Sequence, residues 1–258
     1  ATATRYELGR KVLELAGGKW LHGQRSARPS LLAPLWGNEN MQRLIAGYQD
    51  FRKTRWPREK ARYEEAAKGQ KPEYLIIACS DSRSDPATIF GAHPGEFFLV
   101  RNIAALVPEH DATNGVYGTR AAIAYAVLAL KVRNIVVMGH AQCGGIGAAV
   151  NPQSAEGIPY VADWVALAKP AVEAAHAHGH SLEHSNDKGL DKNRAVEHEA
   201  VKLSVSRLLA YPFIAERVKE GKLVVDGTRF NIATGILELL DQKSGKFEVV
   251  KAKREGSA

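Results

Sequence analysis

Cysteine is scarce in this chain: Cys79 and Cys143 are the only two among 258 residues. Two thiols cannot staple a secreted scaffold, and a single disulfide between them is the most they allow. A reducing compartment, the cytoplasm, is therefore the expectation. Long apolar runs are also missing. The most apolar stretch, AAIAYAVLAL at 121–130, has the length of a core helix, so no membrane span is expected. The opening residues ATATRYELGRK hold no apolar signal core. No run of five basic residues occurs, and no aromatic-basic RNA motif stands out. The formal net charge of +7 thus reads as a basic surface that aids solubility rather than one for nucleic acid, and it also suits a small anionic substrate or product.

What is present is ordinary for a globular protein: 45% hydrophobic and 24% charged residues. A chain this long buries a core without metal or disulfide support, so a bound metal would serve chemistry rather than folding. Residues 1–37 read as an N-terminal arm, with one short amphipathic helix and a Pro-punctuated stretch, RSARPSLLAPLWG. Residues 38–258 read as one catalytic α/β domain. Two helices are expected over 38–69. Then EYLIIACS, GEFFLVRN and NIVVMGH read as apolar strands without polar alternation. They are separated by a turn of helix at DPATIF, capped by Asp85, and a long helix at GVYGTRAAIAYAVLALK. That pattern predicts a mostly parallel sheet buried on both faces by helices, with a further strand (KLVVDGTRFNI) and TGILELL as an added edge. Ligands of such sheets bind at the carboxyl ends of strands, where Cys79 and His140 fall.

Those ends carry the chemistry. His140 and Cys143 are spaced H-x-x-C, which lets one turn direct both side chains at one centre, and Cys79 arrives from a neighbouring strand end. Two thiolates and an imidazole are a preferred tetrahedral zinc set, and three firm protein ligands leave a fourth position. Asp81 could fill that position or leave it to water. Arg83 could hold Asp81 back through a two-pronged guanidinium–carboxylate pair. The alternation in C-S-D-S-R predicts an extended segment with Cys79, Asp81 and Arg83 on one side.

Other patterns carry less. The tract with His176, His178, His180 and His184 reads as an exposed polar loop. His93 and His110 have no evident partners. MGHAQCGGIGAAV follows a strand and opens a helix, but it fails G-x-G-x-x-G because Val150 stands at the last glycine position. A thiol redox pair and a zinc-dependent binding module with a permanently closed metal remain as alternatives.

The stretches CSDSR (79–83), PGEFFLVRNIA (94–104) and GHAQCGGI (139–146) resemble the β-class carbonic anhydrases. So does EAVKLSVSRLLAYPFI, and GTRAAIAYAVLALKVRNIVVMGHAQCGGI is closest to the plant-type branch. The likeness covers about residues 40–240. It implies zinc-dependent reversible hydration of CO2 to bicarbonate, with one zinc per subunit on Cys79, His140 and Cys143. Asp81 and Arg83 would form a gating dyad, with Asp81 on the metal in a closed state. Gln70 would place its amide near bicarbonate across a dimer interface. Phe98, Ile103 and Tyr125 would line a CO2 pocket, and the Gly144 N–H would position substrate. A homodimer or larger homo-oligomer is implied. Ala105 and Asp226-Gly227 depart from the family's usual residues. A carbon disulfide or carbonyl sulfide hydrolase on the same site is the enzymatic alternative.

Overall fold

Helix α1 spans Glu39–Thr54 and α2 Trp56–Ala66, the first elements of a computed structural model that describes residues 39–112, 117–177 and 193–251. The chain divides into two compact units between Arg58 and Glu59. The expected N-terminal helix, the 1–37 arm and most of the polar tract at 178–194, with His178, His180 and His184, lie outside the described residues.

The second unit is built on a six-stranded sheet in the order β2-β1-β3-β4-β5-β6. The strands are β1 (Tyr74–Cys79), β2 (Phe97–Asn102), β3 (Asn134–His140), β4 (Val224–Phe230), β5 (Leu237–Asp241) and β6 (Lys246–Val249). β2, β1, β3 and β4 run parallel; β5 and β6 are antiparallel additions. Hence β1 and β3 are buried runs: Leu75, Ile77, Ile135 and Val137 are 0% exposed. Each buried aliphatic side chain contributes about 1.5–3 kcal/mol relative to exposure.

The helices are α3 (Pro86–Ile89), α4 (Tyr117–Ala124), α5 (Gly144–Val150), α6 (Val161–Val165), α7 (Lys169–Ala177), α8 (Arg194–Ala210) and α9 (Pro212–Lys219). Asp85 caps α3 as expected, its Oδ2 accepting the Thr88 N–H at 2.9 Å. One sheet face packs Leu75, Ile77, Ile135, Val137 and Val225 against Ile123 and Val127, and against Val201, Val205 and Leu208 of α8. The other holds Ile76, Ala78 and Met138 under Ile89 and Phe90. Helix α8 comes close to the strands because glycine faces it. A Cβ on Gly139 or on Gly227 would sit 2.7 Å from a methyl of Val201.

Three expectations are corrected. The long helix after residue 117 turns from α to a π turn at Tyr125–Ala129, with Leu130 N–H bonded to Tyr125 O. The alanine-rich stretch VADWVALAKPAVEAAHA (161–177), whose periodicity predicts one helix, is two helices joined by a 3-10 turn, Ala166–Ala168, just before Pro170. The added edge holds one strand more than expected: β6 was missed because KFEV is short and mostly exposed.

Where β4 meets β5, Arg229 lies opposite Glu238 and donates to it at 2.8 Å. His198 reaches the same carboxylate at 3.0 Å and stacks on Phe247 with centroids 4.0 Å apart, and Arg194 pairs with its other oxygen. Burial pushes the Glu238 carboxyl up, but its hydrogen bonds to His198, Arg229 and Arg194 outweigh that and hold it at about 2, below its ordinary 4.5. Burial also holds His198 below its ordinary 6.5. Both groups bind protons better in the unfolded chain, so both make the fold lose stability with acid. Thermal unfolding followed by circular dichroism should show Tm falling below pH 6.5 and more steeply from 4.5 towards 2. Glu238→Gln should lower Tm at neutral pH and flatten the acid limb. An acid limb unchanged by that substitution would remove Glu238 as its source.

Candidate metal centre

Parallel pairing sets Ala78 beside Met138, so Cys79 and His140 leave neighbouring strand ends one and two residues later. Cys143 follows at the N-cap of α5. All three are buried, and their ligand atoms lie within 4.8 Å of one another, the one such group among the described residues. The two sulfurs are 3.9 Å apart and both thiols are free. A disulfide needs about 2.05 Å. Two sulfurs at about 2.3 Å from one tetrahedral zinc stand about 3.8 Å apart, which fits.

The imidazole fits as well. His140 Nδ1 lies 2.8 Å from Ala141 O, which assigns it as the donor. Nε2 then carries the lone pair, and it is buried without a hydrogen-bond partner. Such an orphan is costly unless a metal takes it. Zinc is the metal this donor set selects.

The surroundings favour charge on sulfur. Cys79 lies at the end of β1 within a small apolar cluster with Ala104, Leu106, Cys143, Ile146 and Ala200. Its thiol is pulled well down, chiefly by a hydrogen bond from Cys143 against the opposing effect of burial. The Ala104 amide adds to the lowering. Cys143 is pushed up by giving that bond and by burial, so one thiol of the pair ionises first. The Ala104 N–H points at Cys79 Sγ, 3.3 Å away. It does so from a left-handed turn, φ 64° at Ala104 and 54° at Ala105, rarely taken by residues with a Cβ. Asn102 brackets the turn, accepting the Leu106 N–H and donating to Leu106 O, both at 2.9 Å. Trp164 Nε1 donates to Ile103 O at 2.8 Å. Gly145 presses on the same turn: a Cβ there would lie 2.5 Å from Ile103 Cγ2.

Asp81 and Arg83 meet in the two-pronged pair. Arg83 Nε donates to Oδ1 at 3.0 Å and Nη2 to Oδ2 at 2.7 Å. The extended segment expected there is not formed. The strand ends at Cys79, and Ser82 and Arg83 are in a turn, closed by the Arg83 N–H on Asp81 Oδ1 at 2.9 Å. A short carboxylate binding backbone two residues on makes this turn by itself. The Arg83 guanidinium holds the Asp81 carboxyl well below the usual carboxylate range. Asp81 Oδ2 is 3.8 Å from His140 Nε2.

Sequence reasoning missed Arg101. Its guanidinium donates to Cys79 O at 2.9 Å and Asp81 O at 2.6 Å, and reaches Asp85 at 3.3 Å, fixing the backbone between ligand and dyad. The only signal was its place in the VRN segment.

A cavity of about 540 Å³ opens over the centre, lined by Cys79, Asp81, Ile103, Gly144, Ala148 and Ile158 among others. Ile103 and Gly144 are thus among its lining residues. Gln70, Phe98 and Tyr125 are not among its lining residues. Gln70 lines a separate, larger cavity of about 780 Å³ with Lys68 and Glu96. Phe98, near the amino end of β2, packs on Tyr125 at 5.9 Å between centroids. Tyr125 is 50% exposed.

A sheet with two thiols and an imidazole at its carboxyl edge defines a mononuclear zinc centre, and comparison with known proteins places it. The carbonic anhydrase family model matches residues 74–237. β-Carbonic anhydrase 3 of Arabidopsis thaliana is 33% identical over 202 residues, 77% of this chain and 76% of that protein. Chloroplastic β-carbonic anhydrase 5 of the same plant is 35% identical over 191 residues, 74% of this chain, which spans 60% of its length. Among solved structures, the β-carbonic anhydrase CcaA has TM-score 0.74 and 31% identity, over 82% of this chain and 100% of that one. A tetrameric β-carbonic anhydrase of Sordaria macrospora has TM-score 0.66 and 31% identity, over 79% and 98%. The chain belongs to the carbonic anhydrase family, in its β class.

Atomic absorption on the purified protein should find one zinc per chain, and Cys143→Ser should lose it; stoichiometric zinc in that variant would overturn the ligand set. Gly145→Ala should destabilise the fold by about 1–3 kcal/mol, because its Cβ must displace the Ile103 turn. An unchanged Tm would show that the turn yields freely.

Proposed function

We propose that this protein catalyses the reversible hydration of carbon dioxide to bicarbonate and a proton, using zinc held by Cys79, His140 and Cys143. One observation carries the reading: both oxygens of Asp81 are engaged by Arg83 while Oδ2 still lies 3.8 Å from His140 Nε2. A carboxylate so held stands beside the ligand set without belonging to it, which favours an open centre over a closed binding module.

Zinc, when bound, supplies the Lewis acidity that makes water a nucleophile near neutral pH. The chain's own groups do the rest. Ionised Asp81 accepts the O–H of the attacking water and aims its remaining lone pair at the carbon of CO2. Arg83 keeps that carboxylate from turning to the metal. Ile103, Ala148, Ala155, Ile158 and Val161 give the cavity an apolar wall suited to CO2. The Gly144 N–H positions a substrate oxygen. The bicarbonate formed takes the water's oxygen, and the proton passes to buffer.

Gln70, Phe98 and Tyr125 act on a partner subunit's cavity in a homodimer or larger assembly. Their absence from the lining of this chain's own cavity supports that role, as does the tetrameric state of the Sordaria proteins. A reducing compartment such as the cytoplasm suits two buried cysteines that must stay thiols. No helix among the described residues is long and apolar enough to cross a membrane.

Stopped-flow hydration assays test the reading. Two thiolates give the metal more charge than imidazoles would, leaving its water less acidic, so the rate should be higher at pH about 8.5 than at about 7. Arg83→Ala should keep stoichiometric zinc and lose about a hundredfold in kcat/KM. Full activity in that variant would sink the role given to Arg83. No hydration by zinc-loaded protein at either pH would sink the proposed activity.

A further inference from the structure

One peptide group touches both halves of the site. The carbonyl of Gln142 accepts from Arg83 Nη2 at 3.3 Å, and the N–H of the same peptide, on Cys143, donates to Glu197 Oε1 at 3.2 Å. Since the peptide is planar and trans, its C=O and N–H point to opposite sides, so fixing one fixes the other. Gln142 holds the unit in place from a left-handed conformation, φ 56°. On one side of this plane stands the dyad, on the other a buried carboxylate.

Glu197 is itself held rigidly. Its Oε2 receives Arg229 Nε at 2.8 Å and Nη2 at 2.7 Å. The third nitrogen of Arg229, Nη1, is spent on Glu238. Glu197 is 2% exposed and Arg229 1%. Packing alone does not call for such a pair, because apolar pairs of similar volume often fold as well or better. A charged acceptor aimed at one backbone N–H is, by contrast, a strong and directional hold.

We propose that Glu197 is a positioning residue for the metal centre. Through the Gln142–Cys143 peptide it sets the direction of the Cys143 sulfur and the seat of Arg83, and Arg229 with Glu238 braces it from behind. The proposal rests on the zinc reading of Cys79, His140 and Cys143. Neither Glu197 nor Arg229 touches substrate or metal; both act through the backbone of the ligand loop.

The test is zinc affinity, measured by competition with a chromogenic chelator on Glu197→Ala and Glu197→Gln. Circular dichroism of the zinc-free proteins reports their folding, and the thiolate-to-metal absorption of the cobalt-substituted forms reports sulfur geometry. Glu197→Ala should bind zinc at least about tenfold more weakly, with altered cobalt bands and a folded zinc-free state. Glu197→Gln, which keeps a carbonyl oxygen for the Cys143 N–H, should return to within about threefold of the unaltered protein. The double variant Glu197→Leu with Arg229→Met leaves no unpaired charge between them, and serves if the alanine variant does not fold. Zinc affinity and cobalt bands unchanged in a folded Glu197→Ala or double variant would overturn the proposal. So would a glutamine variant as weak as alanine. Unfolding of both the alanine and the double variant would assign Glu197 to the fold and overturn it equally. Hydration by the unaltered protein is scored separately, so a failed proposal here leaves the activity standing, and an inactive parent leaves the affinity comparison readable.

Discussion

The parallel pairing of β1 with β3 is the constraint on which the rest depends. It runs from Tyr74 opposite Asn134 to Ala78 opposite Met138. Strands in that register end side by side and point the same way, so the residues just past them share one small volume at the sheet edge. One residue of slippage would turn Cys79 to the opposite face and separate it from the imidazole. The helix-covered faces make slippage costly, since Leu75 and Ile77 would exchange places with Ile76 and Ala78. Core packing and metal geometry are thus one specification.

Around that edge, several polar groups restrain backbone as well as one another. Arg101 holds two carbonyls within the CSDSR segment, those of Cys79 and Asp81. Asn102 clasps the left-handed alanines, and Trp164 ties the same turn to the segment that walls the cavity. This is how a site at strand ends, made from loop residues, acquires the rigidity of the sheet. Two alanines are held in a conformation they disfavour so that one N–H can face a sulfur.

Much of this was legible in the sequence, and the limits are physical. The strands were readable because parallel strands buried on both sides are short apolar runs. The ligand set was readable because two thiols and an imidazole at strand ends have few other uses. The Asp81–Arg83 contact was anticipated for a wrong reason: strand alternation was expected, and a side-chain-closed turn delivers it. Glu197, Arg229 and Glu238 were invisible. Each looks like any surface charge on a helix or strand, and only the packing of α8 across β4 and β5 buries them together. The broken helix at 161–177 was misread because alanine-rich periodicity continues through the break. Gln70, Phe98 and Tyr125 were named by resemblance, which put Gln70 across a dimer interface and did not say which chain's cavity Phe98 and Tyr125 would line.

The order of these groups along the chain has a consequence for synthesis. Cys79, His140 and Cys143 all leave the ribosome before Glu197, which follows Cys143 by 54 residues and is itself followed by Arg229 and Glu238. For that interval the nascent chain exposes a complete set of soft ligands without the carboxylate that orients one of them. A chain truncated before β4 would carry every ligand and Glu197 itself, yet lack Arg229 and Glu238 behind it.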